Sequence, residues 1–167
     1  MILALALAAA IVLQIAFRAS HVWWLLAACQ PALLIVVAYA RRAEPVKVGW
    51  FGLIAGLATD AAAGRVIGPG AIGGVVAGVA VATVARRFEL EGPLFWIIGS
   101  LLGASCSEGT TLLVGWSLGA GADHGWVNVL AVVAMTGAAG LFVAAGERGL
   151  RAWRSPNRRR RRLLKKR

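Results

Sequence analysis

Acidic residues are scarce in this chain: 7 Asp and Glu stand against 18 Lys and Arg, and charged residues make up only 15% of the 167 positions. A water-soluble domain of ordinary composition, with about a quarter of its residues charged, is excluded. Cysteine and histidine are nearly absent too, at 2 each. Cys29 and Cys106 lie within apolar stretches without metal-ligand spacing, and His21 and His124 stand apart. That pattern excludes a disulfide framework and a zinc-type centre. Phosphate-cradling glycine loops, dinucleotide fingerprints and nucleophile–base spacings are missing as well. Neither catalysis nor a cofactor or resident metal is expected.

What is present is apolar. Hydrophobic residues reach 59%, and the mean hydropathy is +0.75. They gather in six stretches, at 1–17, 22–40, 48–63, 71–85, 94–118 and 126–146. The cations between them are lopsided. Arg41, Arg42, Lys47, Arg86, Arg87 and eleven residues after Gly146 fall on one side, against Arg18 and Arg65 on the other. Loops rich in Lys and Arg stay in the cytoplasm, so both termini are expected there. The expected fold is all-α: a six-transmembrane-helix bundle over residues 1–150, with a polybasic cytoplasmic tail at 151–167. The third and fourth stretches are short against the roughly 20 residues a span needs, and they are expected to extend into their connections. The first has no basic leader region, so it reads as a retained span and not a cleaved signal peptide. All 7 Trp fall near stretch ends, the aromatic-belt pattern.

The net charge of +11 does not make this a nucleic-acid binder, because the charge is concentrated in one juxtamembrane tail. Arg158, Arg159, Arg160, Arg161, Arg162, Lys165, Lys166 and Arg167 form a run suited to anionic lipid headgroups, at about 1 kcal/mol per residue near the surface. Pro156 and Asn157 are expected to end any helical continuation past the sixth span. Pro31, inside the second, is expected to kink or unwind it. Glycine spacings that allow close helix approach occur at Gly52/Gly56, Gly74/Gly78, Gly99/Gly103 and Gly115/Gly119. They read as close packing within the bundle, or as a partner-binding face.

Two carboxylates lie inside stretches. Asp60 is twelve residues past the start of the third and Glu108 fourteen past the start of the fifth, and both helices run outward. At about 1.5 Å per residue they reach similar depths, roughly 18–21 Å. An intramembrane ionisable residue suggests a functional site. Asp60, Cys106, Ser107 and Glu108 are therefore candidates for a small polar pocket or an ion or proton site, with Arg65 a possible cation partner. The alternative is that each carboxylate is paired or neutral and only fixes helix packing.

The stretch from residue 30 to 87 resembles the rod shape-determining protein MreD family. The resemblance rests on Gln30-Pro31 leading an apolar helix, on the basic turn at Arg41-Arg42, and on Gly49-Trp50-Phe51-Gly52-Leu53-Ile54-Ala55-Gly56-Leu57-Ala58-Thr59-Asp60. A Gly-rich turn at Gly68-Pro69-Gly70 and a small-residue helix closing on Arg86-Arg87 follow. It implies a non-catalytic scaffold in the bacterial inner membrane, part of the cell-elongation machinery that maintains rod shape and regulates peptidoglycan synthesis. Members bind MreC, and through it connect MreB with RodA and a class B transpeptidase. Pro31, Gly52, Gly56 and Asp60 match the family pattern and read as structural or interface positions. A second resemblance is to the substrate-binding S components of energy-coupling-factor transporters, similar six-helix proteins that dock through small residues on the first helix, here Ala4/Ala8 and Ala6/Ala10. In that reading Asp60 and Glu108 line an outer ligand site.

The charge asymmetry makes a direct prediction. Reporter fusions at the C-terminus and after Arg87 should report cytoplasm, and a fusion near Asp123 the exterior. A cytoplasmic Asp123 would overturn the topology.

Overall fold

The computed structural model describes residues 2–19, 28–64, 67–117 and 126–164. Within them the chain is helical without strands: α1 (Ile2–Ala19), α2 (Pro31–Ala40), α3 (Pro45–Ala62), α4 (Pro69–Arg87), α5 (Gly92–Ser117) and α6 (Trp126–Leu164). Three segments are long and apolar enough to cross a membrane, namely α4, α5 and the Trp126–Leu150 part of α6. The third apolar stretch extends at its N-terminal end into an 18-residue helix, and the fourth extends at both ends into a 19-residue one.

Proline punctuates the bundle. Pro31, Pro45 and Pro69 open α2, α3 and α4 in their first turns, and Pro93 follows Gly92 at the start of α5. Proline suits this position because the first N–H groups of a helix have no intrahelical acceptor and the ring presets φ. Pro31 thus starts a helix and does not bend one. Residues 28–30 ahead of it are not helical, so the second stretch is interrupted there. Its beginning, with Trp23 and Trp24, lies outside the described residues. Pro156 behaves differently from expectation, because α6 runs through it to Leu164. The helix formers Arg and Leu surround it, and beyond the apolar segment water can bond the Ala152 carbonyl that Pro156 leaves without a donor. The basic tail is therefore a continuation of α6 as far as Leu164.

Helix α2 is the hub. It has only 10 residues, about 15 Å, yet it touches all five other helices. Its sequence, PALLIVVAYA, is apolar around the whole circumference, as a helix enclosed on every side must be. Val36, Val37 and Ala40 meet Val48 of α3, Val81 and Ala82 of α4 and Phe95 of α5 in the main apolar core. Around this hub α3, α4, α5 and α6 pack in sequence order, each on the next, while among the described helices α1 rests on α2 and α3. At the Ala40 end Arg41 forms an ion pair with Glu147 of α6 at 2.9 Å and stacks over Phe95. Glu147 also accepts the Trp96 indole N–H at 2.8 Å. Trp96 is thus tied to this cluster, whereas Trp116 and Trp126 are exposed at the adjoining ends of α5 and α6.

The closest approach is between α3 and α4. A Cβ on Gly52 would collide with the Gly74 carbonyl, one on Gly74 with the Gly52 carbonyl, and one on Gly56 with the Gly70 carbonyl. Gly52 and Gly56 are therefore consumed within the bundle, against a second pair four residues apart, Gly70 and Gly74. Gly99 fits against Val37, and Gly115 faces open space; Gly119 lies outside the described residues. Replacing Gly56 by Leu should force the backbones apart and cost more than the usual 1–3 kcal/mol of overpacking, roughly. Gly115→Ala should change stability by less than about 1 kcal/mol. Size-exclusion profiles in detergent after graded heating will rank the two; equal tolerance would refute the close contact.

Candidate functional site

Side chains from four helices and the turn before α2, with the backbone of α4, line a polar cavity of about 70 Å³. Gln14 reaches it from α1, Gln30 from the start of α2, Thr59 and Asp60 from α3, and Ser107, Glu108 and Thr111 from α5. The backbones of Gly52, Gly56, Gly70 and Gly74 form part of its wall, so the glycine contact that joins α3 to α4 also shapes the cavity.

Asp60 is 8% exposed and has a defined task. Its Oδ2 accepts hydrogen bonds from the backbone N–H of Gly68 at 3.1 Å and of Gly70 at 3.0 Å. These groups open α4, where the first N–H groups lack intrahelical acceptors and carry a partial positive charge. Asp60 therefore caps α4 from the neighbouring helix. A Cβ at Gly70 would strike the carboxylate, which requires glycine there. Gly68, with φ of 139°, adopts a backbone conformation open to glycine and strained for other residues. The turn Gly68-Pro69-Gly70 thus combines chain reversal, helix initiation and a seat for Asp60.

Glu108 Oε1 accepts the Gln30 side-chain N–H at 2.6 Å, and the Gln30 backbone N–H donates to Thr136 of α6 at 3.3 Å. The interruption before Pro31 is held from two sides: its amide side chain by α5, its backbone by α6. Thr59 and Thr111 donate their hydroxyl protons to carbonyls of their own helices, those of Gly56 and Ser107, each at 2.8 Å. Gln14 is 6% exposed, and its Oε1 has no hydrogen-bond donor among the described residues.

The structure brings Asp60, Ser107 and Glu108 to one cavity. Cys106 is not with them; it packs against Leu33, Ala77 and Ala104. One residue along a helix is a turn of about 100°, enough to move Cys106 off the face shared by Ser107, Glu108 and Thr111. Pro31 opens α2 at the cavity, and Gly52 and Gly56 line it. Arg65, Lys165, Lys166 and Arg167 lie outside the described residues, while Arg158, Arg159, Arg160, Arg161 and Arg162 ride on the far end of α6. Gln14, Gln30 and Glu147 escaped sequence reasoning. The available signal for the two amides was a single polar residue interrupting an apolar run. No group of three or more His, Cys, Asp or Glu side chains among the described residues could hold a metal ion.

Comparison of the chain with protein-family models, with curated proteins and with solved structures finds no match. Among the described residues the arrangement is all-helical, with three helices long and apolar enough to cross a membrane, a buried polar layer and an apolar core.

If Asp60 acts as a cap, Asp60→Asn keeps an oxygen acceptor and should lower stability by less than about 1 kcal/mol, whereas Asp60→Ala should cost about 1–2 kcal/mol. Melting temperatures of the two purified variants will test this. Equal destabilisation by both would show that the negative charge, and not acceptor geometry, is what α4 needs.

Proposed function

We propose that the chain is a non-catalytic membrane scaffold of the MreD type, acting in the bacterial cell-elongation machinery by holding MreC and, through it, RodA and a class B transpeptidase. On this reading it contributes to rod-shape maintenance and to regulation of peptidoglycan synthesis. It resides in the inner membrane with both termini in the cytoplasm, and its basic tail faces anionic lipid and the MreB side. The observation that carries the reading is an apolar groove between α3 and α4, the two helices that bear most of the resemblance. Val46, Gly49, Trp50 and Leu53 form one wall and Val75 and Val79 the other, around about 290 Å³. Val46 is 70% exposed and Trp50 62%. Gly49, buried against Val79 and Val75, forms the floor where the two walls meet, and the exposed Val46 and Trp50 offer apolar surface to an incoming helix. A partner anchored by one transmembrane helix, as MreC is, suits such a groove.

Cavity size favours this reading over a transporter component that binds a vitamin-sized substrate. Sites that enclose vitamin-sized ligands run to about 300–1,000 Å³, several times the 70 Å³ of the polar cavity.

Affinity purification of the tagged chain from its own cells in mild detergent should enrich MreC, RodA and a transpeptidase. Val75→Trp, which fills the groove, should remove MreC from the eluate while the variant stays in the membrane fraction. Enrichment of paired ATPases with a coupling membrane protein would overturn the scaffold reading in favour of a transporter component.

A further inference from the structure

We infer that the polar cavity is a binding site for a small monovalent cation, of alkali-metal size, that fastens α1 to α3. This goes beyond the scaffold reading and does not depend on it.

The inference starts from Gln14. Its side chain is more than nine-tenths buried, it lines the cavity, and its Oε1 lacks a donor among the described residues. A buried acceptor left without a partner costs about 1–3 kcal/mol, so a donor or a positive charge at that point is favoured. The groups around it offer the same polarity. The hydroxyl protons of Thr59 and Thr111 are already committed to backbone carbonyls, which leaves their oxygen lone pairs available. Both backbone N–H groups that reach Asp60 bind Oδ2, and Oδ1 remains an acceptor. Oxygen acceptors from three helices thus surround a space in which side-chain donors are few.

Chemistry and size then choose the guest. Hard oxygen ligands suit alkali and alkaline-earth ions and not the softer transition metals. The described residues hold no group of three His, Cys, Asp or Glu side chains able to hold a metal, and the lining oxygens used here, those of Gln14, Thr59 and Thr111 with Asp60 Oδ1, include one carboxylate, which suits a single positive charge. A space of about 70 Å³ accommodates one such ion with one or two waters, at roughly 30 Å³ of liquid volume per water. Binding there has a structural consequence. Among the described helices α1 packs on α2 and α3 and on no other, so an ion shared by Gln14 of α1 and Thr59 and Asp60 of α3 joins the most lightly held helix to the most tightly packed pair.

The test uses the full chain purified in detergent with choline chloride as the only salt. Sodium chloride or potassium chloride replaces it stepwise at constant ionic strength, and the melting temperature is read together with equilibrium binding of radioactive sodium. The expected result is a saturable rise in melting temperature with sodium or potassium that choline does not produce. Gln14→Leu should weaken the apparent affinity by at least about ten-fold, the scale on which groups around a metal act. Thr59→Val, which keeps the side-chain shape, should weaken it in the same direction and serves if the Gln14 variant does not fold. Identical melting in all three salts without sodium binding would overturn the proposal and leave water as the occupant. A sodium response undiminished in both variants would overturn it too, by placing the ion elsewhere.

Discussion

Where Gly52 and Gly74 face each other, and again at Gly56 and Gly70, no side chain separates two helix backbones. In lipid, helices gain little from expelling water, so association rests on dispersion contacts and polar links. Two backbones in direct contact maximise the first, and Asp60 supplies the second by bonding the N–H groups that open α4. The two effects need the same geometry. Gly70 must lack a side chain both to let α3 approach and to leave room for the carboxylate. The rest of the bundle is arranged about this pair, with α2 laid across it and α5 and α6 added in turn.

The hub helix adds a second constraint. An interruption in an apolar segment exposes backbone groups that lipid cannot satisfy, so residues 28–30 require polar partners from elsewhere. Glu108 and Thr136 supply them through the Gln30 side chain and backbone. The polar layer therefore follows from the break in the second stretch as much as from any ligand. A short helix enclosed on all sides also separates two environments: apolar packing around Val36, Val37 and Phe95 at one end, and amides and carboxylates at the other.

Much of this was legible before any coordinates. Four of the six apolar stretches locate their helices to within a few residues, because hydropathy and proline at first turns are local properties; the second is broken ahead of Pro31 and the sixth runs on to Leu164. Asp60 and Glu108 reach one cavity because helix rise converts sequence position into depth. Pairings between helices were not legible. The spacing of Gly52 and Gly56 is visible, but nothing local says that Gly70 and Gly74 are opposite them. Cys106 was grouped with Ser107 and Glu108 by proximity in sequence, where rotation about the helix axis separates them. Glu147 sits just past the last apolar stretch, where a carboxylate reads as a solvated end; its partner Arg41 is more than a hundred residues earlier. Pro156 was over-read, since a proline ends a helix reliably only where the orphaned carbonyl has no alternative partner.

The unbroken course of α6 bears on how far its cations can feel a bilayer. Measured along the helix axis, residues 158–162 lie about 12–18 Å beyond Leu150, at about 1.5 Å per residue. Surface potential decays over a screening length of about 8 Å at physiological salt. A helix that keeps its direction as it leaves the membrane therefore carries those arginines past most of the field that anionic headgroups generate. Headgroup contact requires the helix to lie down instead, and Pro156, with its missing backbone bond, is the position at which α6 bends most cheaply. The angle at that residue decides whether the basic segment meets lipid or projects away from the bilayer.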